Sequence, residues 1–362
     1  MVYLAVLGRQ KEISLAELEA LFLRVRMVSP CLATFETDIT PDINKLGGQI
    51  KLAEKIEAKP LDLLADLPEG KITIGVSDYS RNASPKTAML EALKLKKILV
   101  RHHRSVRVVE GHGATLATAT SLHNGLSGKN PRKLELIKVG NDWYRVIGVQ
   151  DIDAYTRRDQ ARPARDAKVG MLPPKLAQIL INLCGALPKN ARVLDPFCGT
   201  GVVLQEAILM GLTAYGTDIS ERMIVYTKRN LDAFAHTDYQ IEVGDATSHH
   251  WQSPISAVAS ESYLGAPMSM PPTEIKLKSE KQTCRAIILG FLQNLVTQVD
   301  KTTPVVLATP AWLRKDGSYS RLEILDEIEK MGYNVSNKTR EGLLYHREGQ
   351  VVARDIIILR KK

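Results

Sequence analysis

Three aspartates set beside glycines carry the clearest chemical signal in this sequence. Asp195 opens the loop Asp195-Pro-Phe-Cys-Gly-Thr-Gly201, Asp218 ends the run YGTD, and Asp245 ends VGD. Each follows a short apolar run that reads as a strand. Glycine lets the backbone come close to a ligand, so Gly199 and Gly201 make the first loop a cradle. An acidic side chain at the end of the second strand is suited to accept hydrogen bonds from ribose hydroxyls, and Asp245 can accept one from an adenine amino group. Taken singly, an aspartate at such a place reads as a helix cap or turn residue. Three in series, with a glycine loop after the first, point instead to an adenosine site. A dinucleotide fingerprint would need a third glycine, but Gly199-Thr-Gly201-Val-Val runs into Leu204, and no Gly-Lys-Ser/Thr follows to make a phosphate loop.

The elements around these residues alternate: strand ARVLDPF, helix VVLQEAILMG, strand TAYGTDI, helix SERMIVYTKRNLDAF, strand YQIEVGDA. Such alternation predicts an α/β domain with a doubly wound parallel sheet, whose ligands bind beyond the carboxyl ends of the strands near the switch point. Further strands are expected at SAVAS, PVVLATP, YNVSN and DIIILR, and Pro173-Pro174 opens a helix through PKLAQILINLCGAL. Before it, the polar and charged stretch from Gln150 to Gly170, broken by Pro163, reads as a linker.

The first half reads as a small α+β region. VYLAVLG is a strand, Ser14-Leu-Ala-Glu17 has the form of a helix capping box, DINKLGGQIKLAEKI is amphipathic and KITIGVSDYS is a strand. From Thr87 to Val109 an expected apolar helix face of Met89, Leu90, Leu93 and Ile98 is backed by Lys94, Lys96, Lys97, Arg101 and Arg104, the most basic element in the chain. Charge runs are often no more than a solvated face. With 362 residues, two or three domains are expected. The net charge of +9 favours a polyanionic partner. No run of 18 apolar residues and no leader pattern are present, so a soluble, cytoplasmic protein without membrane association is expected. The four cysteines are scattered and read as reduced thiols, and the histidines have no zinc-site spacing, so no metal is expected. Nothing indicates a protein partner.

The motifs DPFCGTG, GTD and GDA resemble the S-adenosylmethionine-binding motifs of Rossmann-like methyltransferases. More narrowly, the opening LGRQKEISLAELEAL, the segment DINKLGGQIKLAEKI and the junction VQDIDAYTRRDQARPARDAKVGMLPPKLAQIL are similar to the THUMP-domain RNA methyltransferases that modify N2 of a tRNA guanosine. The resemblance implies a ferredoxin-like region over 1–60, a THUMP-like RNA-binding region over 61–149, a linker over 150–170 and a methyltransferase domain over 171–362. It implies S-adenosylmethionine at Asp195, Pro196, Phe197, Gly199, Gly201, Asp218, Ile219, Asp245 and Ala246. It also implies tRNA or another structured RNA on the face bearing Lys94, Lys96, Lys97, Arg101 and Arg104, recognised through shape and phosphate.

The family carries Asp/Asn-Pro-Pro-Tyr/Phe after its fourth strand, where this sequence has Ser260-Glu261-Ser262-Tyr263. In the usual motif an acidic or amide side chain and a carbonyl hold the target amine, and the aromatic ring stacks on a flipped base. Here Tyr263 would keep the stacking platform, Ser260 an uncharged acceptor, and Glu261 a carboxylate able to take the released proton. The expected reaction is direct methyl transfer to a base amine, with guanine N2 in tRNA as the leading target. Cys198 lies in the cofactor loop without a general-base partner and reads as filler, not as a nucleophile. Two rivals stand beside this reading: a catalytically degenerate RNA-binding relative, and a DNA amino-methyltransferase.

Overall fold

Short apolar runs, buried nearly throughout in Val2–Leu7 and Ile72–Asp78, build a sheet from the first 150 residues. In chain order the elements are β1 (Val2–Leu7), α1 (Lys11–Leu21), β2 (Leu23–Ser29), β3 (Leu32–Glu36), β4 (Gln49–Lys55), α2 (Pro60–Ala65), β5 (Ile72–Asp78), α3 (Pro85–Arg101), β6 (Val106–Val109), α4 (Thr118–His123), β7 (Lys133–Val139), β8 (Asp142–Val149) and α5 (Ile152–Gln160). The computed structural model describes residues 1–57, 60–165, 172–234, 239–337 and 342–362. The chain divides into two units, Met1–Tyr155 and Thr156–Lys362.

The first unit holds one eight-stranded sheet in the order β2-β3-β1-β4-β8-β7-β5-β6. The antiparallel ladder from Lys51↔Val149 to Lys55↔Tyr144 joins β4 to β8. Regions 1–60 and 61–149, expected as separate portions, are thus stitched into one sheet. A buried ion pair sits at this seam: Lys51 Nζ lies 2.5 Å from Glu135 Oε1, with side-chain exposures of 1% and 0%. Lys51 also donates to Leu116 O and Ser121 Oγ, while Ser77 and Ser121 donate to the Glu135 carboxylate. Removing one partner strands the other charge, so Lys51→Met should cost about 3–5 kcal/mol in urea unfolding, and Lys51→Met/Glu135→Gln should recover part of that loss. An unchanged urea midpoint for the single variant would mean the pair contributes nothing.

Tertiary contacts override several local expectations. Ser14 and Glu17 form no capping box, because α1 starts at Lys11 with Gln10 as its cap. Ser14 Oγ instead donates to Gly48 O at 2.8 Å, and the Glu17 carboxylate accepts from the Gly47 and Gly48 amides at 2.9 and 2.8 Å. On α3, Ala88, Ala92, Leu95 and Leu99 are buried, while Leu90 and Leu93 are exposed at 47% and 45%. The expected apolar face is therefore rotated: Leu90 and Leu93 share the exposed side with Lys94, Lys97 and Arg101.

Residues 150–170 are not an open linker over their described part. α5 fills Ile152–Gln160, and Arg162 is wholly buried with Nη1 3.2 Å from Thr200 Oγ1. Ala164 exchanges both backbone hydrogen bonds with the Asn230 side chain. The rest of that stretch, and the piece of the family-like junction over 166–171, lie outside the described residues.

The second unit continues with α6 (Pro174–Asn182), β9 (Arg192–Asp195), α7 (Val202–Leu209), β10 (Thr213–Asp218), α8 (Glu221–Ala233), β11 (Tyr239–Val243), β12 (Ala257–Glu261), α9 (Glu274–Leu295), β13 (Pro304–Leu313), β14 (Tyr319–Arg321), α10 (Leu325–Lys330), β15 (Tyr333–Val335), β16 (Leu343–Tyr345) and β17 (Val352–Lys361). Its sheet runs β11-β10-β9-β12-β13-β17-β15. The first five strands are parallel, and β17 lies antiparallel between β13 and β15. Strand order turns back between β9 and β12, so the switch point lies at the carboxyl ends of those two strands. Val258, Leu307 and Trp312 pack with Phe291, Leu292 and Leu295 of α9 in the core beneath. Among the described residues, no helix is long and apolar enough to cross a membrane, and no three His, Cys, Asp or Glu side chains gather as a metal site.

Candidate functional site

Asp195 ends β9 and Glu261 ends β12, so the glycine loop and the Ser260–Tyr263 stretch meet at the switch point. The loop after β9 turns sharply because Gly199 and Gly201 adopt left-handed conformations, with φ of +52° and +83°. A Cβ on Gly201 would lie 2.8 Å from Thr227 Cγ2, whereas one on Gly199 would have only Phe197 O near it, at 3.9 Å. Open space thus stands over Gly199, while Gly201 is held against α8. The loop is braced from α8: Thr227 Oγ1 donates to Gly199 O at 2.7 Å, and Asn230 Nδ2 donates to Thr200 O at 2.9 Å.

Asp218 links this loop to the next strand end. Its carboxylate accepts the Gly199 amide through Oδ2 and the Ser220 amide through Oδ1, each at 2.9 Å. Burial pushes its pKa up, and these two amides oppose the shift. Ile219 beside it leaves 70% of its surface exposed, an apolar plate next to an acidic rim. Asp245 is exposed and turns one oxygen to its own loop, accepting from Thr247 N at 2.9 Å and Thr247 Oγ1 at 2.8 Å. The buried Ala246 gives its carbonyl to Asn294 of α9.

Asp195 plays a different part from the other two aspartates. It is buried, and its Oδ1 accepts from Ser260 Oγ at 2.5 Å and from Phe197 N at 3.2 Å. Burial pushes its carboxyl up to about 7. Asp195 therefore braces the loop against β12. Pro196 O accepts from Thr217 Oγ1, and the Phe197 ring meets Phe291 edge-on at 5.3 Å. Cys198 is buried and its thiol is pushed well above its usual pKa by that burial, so it stays protonated and fills space.

The structure corrects half of the expected catalytic set. Ser260 is fully buried, and its hydroxyl is committed to Asp195, so it is not the uncharged acceptor for a substrate. Ser262 is likewise buried and donates to Ala308 O at 3.0 Å. Strand pleating turns these hydroxyls into the protein, where each satisfies a neighbour. Tyr263 remains 40% exposed, while the Glu261 side chain between the two serines keeps only 14% of its surface exposed. Glu261 is held by an arginine that sequence reasoning missed: Arg354 Nε of β17 lies 2.7 Å from its Oε1. Burial raises the Glu261 carboxyl and the Arg354 charge pulls it back down. No local signal joins these residues, which meet only because β17 folds back onto β13 beside β12.

The basic face of α3 is also reduced. Arg104 donates to the carbonyls of Leu67 and Pro68, and Lys96 is half-buried, leaving Lys94, Lys97 and Arg101 exposed.

The second unit thus combines a doubly wound, Rossmann-like sheet with a glycine cradle at its switch point, acidic residues at or just past successive strand ends, and Glu261 and Tyr263 at the end of β12. Residues 162–285 match the family described as RMKL-like, methyltransferase domain. Two similar curated proteins are the tRNA (guanine(10)-N2)-dimethyltransferases of Methanothermobacter thermautotrophicus and Pyrococcus abyssi. The first is 31% identical over 157 residues, covering 43% of this chain and 44% of that protein. The second is 41% identical over 103 residues, covering 28% and 30%. The chain thus aligns with less than half the length of either relative. Among solved structures, TrmN from Thermus thermophilus aligns over 100% of both chains with a TM-score of 0.47 and 18% identity.

Proposed function

We propose that this chain transfers a methyl group from S-adenosylmethionine to a base amine of structured RNA, with guanine N2 of tRNA as the target. The observation that carries the reading is the open glycine cradle at Gly199, tied to the Asp218 carboxylate, at the switch point where β9 neighbours β12, the strand that ends at Glu261. The cradle fits an adenosine-bearing donor: Gly199 has room above its Cα, Asp218 retains acceptor capacity for ribose hydroxyls, Ile219 offers an apolar wall and Asp245 faces outward. Bound there, S-adenosylmethionine supplies an electrophilic methyl group. The names of the similar curated proteins support tRNA guanine N2 as the acceptor.

Within this reading the first unit supplies RNA-binding surface, including a THUMP-like region, and the exposed Lys94, Lys97 and Arg101 contact phosphate. Changing all three to glutamine should weaken RNA binding across sequences and lower the salt dependence by roughly one unit of slope per lost contact. Titrations of labelled tRNA at several salt concentrations check this. Unaltered affinity and slope would return the face to plain solvated surface.

One feature favours the binding-only reading: the hydroxyl at the first position of the altered motif is turned away toward Asp195. The two readings part in one assay. Purified protein is incubated with label-bearing methyl donor and separated RNA and DNA pools. Label in RNA supports the proposed activity, label in DNA alone supports a DNA amino-methyltransferase, and donor binding without label transfer supports a degenerate relative.

A further inference from the structure

We propose that Arg354 is a positioning residue that fixes Glu261 as the acceptor facing the target amine, an inference that rests on the methyl-transfer reading above. Its ground is the division of labour between the two carboxylate oxygens. Arg354 Nε holds Oε1 at 2.7 Å, and among the described residues no hydrogen bond engages Oε2. The neighbouring polar side chains, Ser260 and Ser262, are both turned into internal bonds, so Oε2 is the remaining charged acceptor on this strand end. The arginine is itself fixed, buried at 4% exposure and donating through Nη1 to Gln350 Oε1 at 3.1 Å and Val352 O at 3.4 Å.

This arrangement replaces what an Asp-Pro-Pro-Tyr loop does by local geometry. Proline rings stiffen a chain and orient its acceptors; here no proline flanks Glu261, and a cation from another strand does the orienting. As the amine nitrogen bonds to the methyl carbon, the carbon–sulfur electron pair stays on sulfur, and one N–H proton passes to Glu261 Oε2 and on to water. An exocyclic amine is a very weak base, so its methylated cation loses a proton readily. Orientation of the acceptor matters more than its basicity, which is why a guanidinium partner that weakens the base is compatible with the role. Glu261 is faced by two charged groups, Arg354 on β17 and Asp195 on β9, while its neighbour on β13 is the uncharged Ala308.

The test combines single-turnover methyl transfer to tRNA with a carbon-13 NMR titration of the Glu261 carboxyl, which needs no activity. Arg354→Gln should slow transfer roughly 10- to 100-fold, as expected for a reacting group misplaced by about an ångström, with donor affinity unchanged. Its Glu261 carboxyl should titrate at higher pH, because the favourable charge is gone, and the acid limb of the rate profile should move up with it. Arg354→Lys should restore much of the limb position and less of the rate. In a Glu261→Gln background, Arg354→Gln should add no further loss; this neutral pair also guards against a variant that fails to fold. Losses that multiply in the double variant, or an unmoved titration and limb, overturn the assignment of Arg354 alone. A parent that binds the donor yet methylates no RNA overturns the proposed reaction, and the role of Arg354 with it.

Discussion

Tyr263→Ala abolishes methyl transfer to RNA, lowering the single-turnover rate by at least about 10²-fold, while donor binding stays intact. Loss of a base–aromatic stack costs about 1–3 kcal/mol, and loss of the platform also lets the amine drift from line with the methyl group, which multiplies the effect. The position of Tyr263 makes this a clean experiment. It lies two residues beyond the end of β12 with 40% of its surface exposed, so its removal opens no core cavity. The turn carrying it is held independently: Glu280 of α9 accepts from Ala266 N at 3.1 Å, and Gly265 takes a left-handed φ of +87° that other residues rarely adopt. Tyr263→Phe should retain most activity, because stacking needs the ring and not the hydroxyl. Full activity in Tyr263→Ala would place the chemistry elsewhere.

The second large effect lies on the donor side. Asp218→Ala should weaken binding of S-adenosylmethionine and of its demethylated product by about 1–3 kcal/mol, or roughly 5- to 150-fold, through lost charge-assisted hydrogen bonds. The upper end is favoured because the carboxylate has two duties. It offers acceptor capacity to a ligand, and it holds the amides of Gly199 and Ser220, which would be left unpaired in a part-buried site. Asp218→Asn keeps an acceptor for one amide and should fall between the two. Calorimetry with the product as ligand makes the comparison, and equal affinity in parent and alanine variant would remove Asp218 from the site.

The glycine-loop half of the candidate site was legible in the sequence because its geometry is local. A strand, a glycine turn and a helix follow one another within Arg192–Leu209, and the repeats of that unit place Asp218 and Asp245 at equivalent strand ends. The acceptor half was not, because it is assembled from distant strands. Glu261 and Arg354 stand 93 positions apart, and only the antiparallel return of β17 joins them. Ser260 was misread for a related reason: a hydroxyl in a motif position reads as an acceptor until pleating shows which way it faces. The capping-box reading of Ser14 and Glu17 failed because two glycine amides from the segment before β4 claim the carboxylate. The buried side of α3 is built on Ala88 and Ala92 with Leu95 and Leu99, and small alanines carry a weaker apolar signal than the exposed Leu90 and Leu93.

The purified chain is given S-adenosylmethionine bearing a labelled methyl group together with unmodified tRNA, and the RNA is digested and its nucleosides resolved by mass spectrometry. The proposed function predicts labelled N2-methylguanosine from the parent and none from Tyr263→Ala. Label in a different nucleoside would contradict the target, and no label in any nucleoside would contradict the activity itself.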